Sequence, residues 1–176
     1  MVSAREGAAW AFGALYRRNA KYLGGIVTRL LRSREDADDI VHDTFVIAFE
    51  KLHTLREDSA FRGWLLRIAV MQTRQVLRRR RLRALLGLDF TLEDATLEHL
   101  ASREVSPEDR AELGRIDAAL ASADVNARIA WMLRHVDGYT LEEVAQACAC
   151  SLSTAKRRVQ AAQAIVQRTF QSEWSR

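Results

Sequence analysis

Arginine dominates the chemistry open to this chain. Of its 27 basic residues 24 are arginine, the side chain whose planar fork matches phosphate oxygens and base edges. Arg67, Arg74, Arg78 and Arg81 follow one another at intervals that keep them on one stripe of a helix, and Arg79, Arg80 and Arg83 thicken its positive end. A run of like charge this dense repels itself, so a neutralising polyanion is the expected partner; a solvated face is the plainer alternative. A second basic group, Lys156, Arg157 and Arg158, stands beside Ser153 and Thr154. The opposite charge collects between Glu35 and Asp43, where Asp36, Asp39 and Asp43 are spaced to share one side of a helix. Those carboxylates either complement the dipole of a helix N-terminus or meet a basic protein surface.

The elements that would position these groups are helical. One proline and eight glycines punctuate 176 residues, and apolar residues recur at three and four rather than at two, which predicts an all-α chain. Ala37, Ile40, Val41, Thr44, Ala48 and Leu52 form the inward side of the acidic helix. Phe61, Trp64, Leu65, Ile68 and Val76 do the same for the arginine helix. Breaks are expected at Gly24-Gly25, at Ser33 to Asp36 and over the polar stretch His53 to Ser59.

Near the C-terminal end, Thr140-Leu141-Glu142-Glu143 has the form of a capping box, which starts a short helix bearing Leu141, Val144, Ala145 and Cys148 on one stripe. A turn at Ala149-Cys150 leads to a new start at Ser151. Leu152, Ala155, Val159, Ala162 and Val166 then share an inward face, while Ser153, Arg157 and Gln160 point outward and Lys156 and Arg158 flank them. Two helices meeting at such a corner suit a helix-turn-helix, with hydrogen-bonding side chains for base edges and cations for phosphates. An amphipathic hairpin with a solvated basic face would read the same way. Before the corner, Ile129, Met132, Leu133 and Val136 form a stripe that stops at Asp137-Gly138.

The acidic content shifts sharply between these halves. From Leu88 to Glu112 eight carboxylates face two arginines, and Pro107 lies inside. The expected organisation is therefore two small helical domains, 1–85 and 112–172, joined by an acidic linker, 86–111. No apolar run approaches the ~20 residues of a membrane helix, and no basic-then-apolar leader begins the chain. A cytoplasmic location is expected. Cys148 and Cys150 are too few for a disulfide framework and lack the further ligands of a thiolate metal site, so neither metal nor cofactor is expected. Enzymatic catalysis is not expected either: no phosphate-cradling glycine loop is present, and His42, His53, His99 and His135 are scattered.

In order and spacing these motifs resemble the extracytoplasmic-function branch of the bacterial sigma factors, over nearly the whole chain. The resemblance rests on Asp36-Ala37-Asp38-Asp39-Ile40-Val41-His42-Asp43-Thr44-Phe45, on Phe61-Arg62-Gly63-Trp64-Leu65-Leu66-Arg67-Ile68-Ala69 with its basic run, and on Tyr139 to Ala145 and Ser151 to Arg158. It implies a promoter-melting domain (region two), a linker threading the polymerase channels and a helix-turn-helix domain (region four). It also implies that Asp36, Asp39, Asp43 and Phe45 dock on the clamp helices of core RNA polymerase. A loop at His53, Thr54, Leu55 and Arg56, extending to Asp58, would capture a flipped base of the proximal promoter element, with Arg67, Arg74, Arg78 and Arg81 holding the DNA. Ser153, Thr154, Lys156, Arg157 and Arg158 would serve the distal element. Promoter DNA, core polymerase and an anti-sigma protein are the implied partners. Met71 and Gln75 stand where the family usually has asparagine and aspartate, and Ala149 where glycine is common. Two other readings compete: a regulator that binds DNA without polymerase, and a sigma-like adaptor that binds only protein.

Overall fold

Apolar spacing from Ala9 onward produces one long helix where a break was expected. After a single turn, α1 (Val2–Arg5), helix α2 runs through Ala9–Leu31 without interruption at Gly24-Gly25. Each interior glycine costs about 1 kcal/mol relative to alanine. Leu23, Ile26, Val27, Leu30 and Leu31 are at most 1% exposed, and burying each contributes roughly 1.5–3 kcal/mol, so packing outweighs the local penalty. Arg32 ends the helix in the left-handed conformation, φ 58°. Ser33 starts α3 (Arg34–Glu50), its Oγ accepting the Asp36 amide at 3.2 Å.

Two 3₁₀ turns, Leu52–Thr54 and Asp58–Ala60, carry the chain into α4 (Phe61–Leu85). The computed structural model describes residues 1–87 and 106–171, and among these it contains helices, turns and loops but no strand. Most of the expected linker, with Asp89, Glu93, Asp94, Glu98 and Glu104, lies outside the described residues. Its last part is helical: α5 spans Pro107–Ser122 and so takes in residues 107–111. Ser106 caps that helix through the Asp109 amide at 3.1 Å, and Glu108 and Asp109 complement the dipole in its first turn. A proline inside an acidic run was here a helix start, the one position where its missing N–H costs nothing.

Helices α6 (Val125–His135), α7 (Leu141–Ala147) and α8 (Leu152–Gln171) complete the chain. Gly138, at φ 75°, turns the chain after α6. The Tyr139 amide returns to the Leu133 carbonyl at 3.0 Å, satisfying a group the helix end would leave open. The stripe expected to reach Val136 stops short of it. Ile129, Met132 and Leu133 are at most 1% exposed, whereas Val136 is 45% exposed because it already lies past the helix end.

α2, α3 and α4 pack on one another, and α5, α6 and α7 pack on α8. The two groups also meet, through α4 against α6 and α7 and α2 against α6. One continuous apolar core therefore runs from Leu30 and Leu77 to Leu120 and Ile129.

The turn between α7 and α8 holds Ala149 at φ 51°, a conformation that costs an L-residue with a Cβ roughly 1–2 kcal/mol. Ala149→Gly is expected to raise stability by about 1 kcal/mol. The readout is a higher urea midpoint at unchanged slope; a lower midpoint would mean that the turn tolerates the alanine methyl without strain.

Candidate nucleic-acid interface

Beginning with the acidic helix, α3 buries Ala37, Ile40, Val41, Thr44 and Ala48 and turns Asp39 and Asp43 to solvent. Val46, 43% exposed, continues the same face one turn on. Asp36 is committed elsewhere: its Oδ2 accepts from Arg80 NH2 at 2.5 Å while Arg80 NH1 reaches the Leu31 carbonyl. Phe45 corrects the sequence expectation. It is 2% exposed, stacked between Tyr16 at 4.8 Å and Phe49 at 5.7 Å, and so belongs to the core. Its aromatic bulk is better stabilised between α2 and α3 than in water.

The polar stretch after α3 is tied down rather than loose. His53 Nδ1 lies 3.1 Å from the Glu50 carbonyl, and the Thr54 hydroxyl donates to the Lys51 carbonyl at 2.7 Å. From the far side Arg5 pairs with Asp58 at 2.6 Å and donates to the Leu55 carbonyl at 2.8 Å. No sequence signal marked Arg5, because its partners lie some 50 residues away. Leu55 is 6% exposed and anchors the stretch, so it forms wall rather than rim; His53, Thr54 and Arg56 are exposed.

This stretch borders a cleft of about 740 Å³ that Arg56, Arg62, Trp64, Arg67, Tyr139 and Glu143 help to line. Its walls come from both ends of the chain. Arg62 stacks over the Tyr22 ring at 3.8 Å, a cation–π contact that also fixes the cation at the cleft's mouth. Burial raises the Tyr22 phenol pKa, and Arg62 works against that rise.

Along α4 the arginine stripe divides. Arg67, Arg78 and Arg81 are exposed. Arg74 is half-buried and donates to the Cys148 carbonyl at 3.0 Å, and Arg81 reaches the Ala123 carbonyl at 3.3 Å. Met71 and Gln75 both face solvent on the same helix, Met71 at 45%.

At the helix-turn-helix the expected capping box is present. The Thr140 hydroxyl accepts the Glu143 amide at 3.2 Å, and Glu143 Oε2 accepts the Thr140 amide at 2.8 Å. Ser151 starts α8, its Oγ accepting the Thr154 amide at 3.2 Å and lying 2.9 Å from the Thr154 hydroxyl. Ala155, Val159, Ala162 and Val166 are buried as expected, but Leu152 is 36% exposed, since the first turn overhangs the helices beneath. Ser153, Lys156 and Arg157 are exposed. Arg158 departs from expectation: it is half-buried, with NH1 enclosed and lacking a hydrogen-bond partner, so it is not a free flank cation.

Burial pushes the Cys148 thiol up to about 11, so near neutral pH it is protonated and unreactive. Cys150 is half-buried and free. Among the described residues no three His, Cys, Asp or Glu side chains converge as metal ligands, and no helix is long and apolar enough to cross a membrane.

The Sigma-70 region 2 family matches residues 15–83, which hold the acidic helix, the tied loop and the arginine helix. The chain is 33% identical over 172 residues to the RNA polymerase sigma factor NccH of Alcaligenes xylosoxydans xylosoxydans, covering 96% of this chain and 91% of that one. It is an extracytoplasmic-function sigma factor. A second relative of this sigma factor, the ECF RNA polymerase sigma-E factor of Haemophilus influenzae, is 29% identical over 174 residues, covering 95% and 91% of the two chains. The fold likewise matches that of the sigma factor RpoE, solved with the anti-sigma factor NepR from Bartonella quintana. That match has a TM-score of 0.67 at 23% identity and covers 92% of this chain and 97% of that one. As a sigma factor, the chain directs core RNA polymerase to promoters. A DNA regulator acting without polymerase and an adaptor that binds only protein are not favoured.

Proposed function

We propose that the sigma factor divides its work among three surfaces. Asp39, Asp43 and Val46 on α3 form the face that docks on core polymerase, with Asp36 at its edge and Phe45 behind it as support. Thr54 and Arg56 rim the cleft that receives an unstacked base of the proximal element, with Leu55 in its wall and His53 next to them in the chain. Arg67, Arg74, Arg78 and Arg81 neutralise the phosphates beside that base, which offsets the few kcal/mol that unstacking costs. Ser153, Thr154, Lys156 and Arg157 at the start of α8 meet the distal element in the major groove, and Arg158 supports that helix from beneath.

The observation that carries this reading is the exposure of Asp39 and Asp43 on one face of α3, within a match to sigma factors that spans nearly the whole chain. The chain needs no chemistry of its own in this scheme, because the polymerase makes the phosphodiester bonds. Work on polymerase places it in the cytoplasm. An anti-sigma protein is the proposed regulator, as NepR is for the RpoE of the solved complex. The division into a region-two unit through residue 85 and a region-four unit from about 107 follows the helix boundaries.

The test is to mix the chain with sigma-free core polymerase and genomic DNA fragments and to map transcript starts. Discrete new starts sharing an upstream motif support the assignment; none, with polymerase bound, would favour the adaptor. Arg157→Ala is expected to lose discrimination at one base pair of the distal element by roughly 1–3 kcal/mol. Binding measured across single-base variants checks this, and a uniform loss over all sequences would make Arg157 a phosphate contact.

A further inference from the structure

Four arginines drawn from both helix groups share one cleft. Arg32 follows α2, Arg80 and Arg81 lie on α4 and Arg128 on α6, and together they line a space of about 250 Å³. Leu77 and Val125 supply part of its apolar wall, and among the described residues that line it none is acidic. Asp36 and Asp117 pair with Arg80 and Arg32 from outside the lining, at 2.5 and 2.6 Å. Asp124, next to Ala123 in the chain, is engaged by the Asn126 amide at 2.9 Å. Even with these three carboxylates counted, positive charge is in excess.

Backbone groups orient these cations without neutralising them. Arg80 NH1 donates to the Leu31 carbonyl at 2.8 Å, Arg81 NH1 to the Ala123 carbonyl at 3.3 Å and Arg128 NH2 to the Leu30 carbonyl at 3.1 Å. A carbonyl fixes the plane of a guanidinium but carries no net charge, so each fork reaches the cleft preorganised and still cationic. Arg32 is 9% exposed, and its Nε is buried without a hydrogen-bond partner. An unmet buried donor is costly, and cations gathered beside an apolar wall repel one another more than they would in water. An anion in the cleft offsets that repulsion and brings acceptor oxygens to Arg32.

We propose that this cleft binds a small phosphate-bearing anion, with a diphosphate group as its ligand. Guanidinium forks match phosphate oxygens two at a time, and several forks at one site suit an anion of higher charge than a single carboxylate. Size points the same way. Pockets for drug-sized ligands hold ~300–1,000 Å³, so a cleft of about 250 Å³ accommodates a diphosphate and leaves any attached nucleoside outside. Of the four arginines Arg81 is exposed, Arg80 and Arg128 are half-buried and Arg32 is buried. Arg81 therefore stands at the mouth and Arg32 deepest, an arrangement that admits a discrete anion more readily than a continuous DNA backbone. The inference uses no promoter assignment, and its test contains no DNA.

The experiment titrates the full chain by calorimetry, at fixed ionic strength, with inorganic pyrophosphate, with ADP and with sulfate. Saturable one-to-one binding of pyrophosphate, tighter than that of sulfate, is expected. A rise in the thermal midpoint should accompany it, because a ligand that binds only the folded chain stabilises it. Arg81→Ala should weaken binding about tenfold, the loss of one charge-assisted contact. Arg81 is exposed, so this variant should fold as the parent does. Arg128→Lys keeps the charge but loses the fork, and it too should weaken binding. Arg79→Ala removes the same charge from the same helix at an exposed position outside the cleft, and should change affinity by no more than about twofold. Pyrophosphate binding more tightly than ADP identifies the free anion as the ligand, and the reverse order identifies a nucleotide; either supports the site. No saturable binding, or equal losses from Arg79→Ala and Arg81→Ala, would overturn it and leave only a diffuse positive field.

Discussion

Replacing Phe45 by alanine is expected to destabilise the chain by about 3–5 kcal/mol, the range for deleting a buried aromatic ring. The ring is 2% exposed, and its neighbours Tyr16 and Phe49 are held by α2 and α3 themselves, so they have little freedom to close over the space. A domain's whole stability is about 5–15 kcal/mol, and the variant should therefore be close to unfolding at physiological temperature. Urea denaturation followed by circular dichroism reads this directly. If stability were unchanged while polymerase affinity fell, Phe45 would return to the docking face that the family resemblance implied for it.

The converse behaviour is expected of Asp39 and Asp43. Both side chains are exposed, so changing them to alanine should move stability by no more than about 0.5 kcal/mol. Binding to core polymerase should weaken by on the order of tenfold for each carboxylate, about 1.4 kcal/mol apiece. The residual binding should depend less on salt, because fewer charge pairs remain to be screened. Titration of core polymerase with labelled chain at two ionic strengths measures both effects, and unchanged affinity would remove α3 from the interface. Asp36 should matter less than either, since Arg80 already neutralises it.

Sequence alone determined the helical class, the order of the helices, the capping box at Thr140 and Glu143, and the inward faces of α3 and α8. These depend on periodicity and on contacts within a turn or two, and such information is local. The acidic and basic stripes were legible for the same reason. Sequence cues misled where a second element decides the outcome. Gly24-Gly25 breaks no helix because α2 is held by burial on both sides of it, and Phe45 shares its helix with exposed carboxylates but faces α2.

Only the tertiary structure decided which cations are free. Arg67, Arg74, Arg78 and Arg81 are equivalent as a stripe, yet Arg74 is half-buried on a carbonyl of the C-terminal half while Arg67, Arg78 and Arg81 are exposed. The same holds for Arg29 and Arg32, whose acidic partners are separated from them by 108 and 85 residues. No window of sequence contains both members of such a pair. Their meeting depends on the packing of two helix groups across a linker, and that packing is set by the summed burial of many residues rather than by any motif.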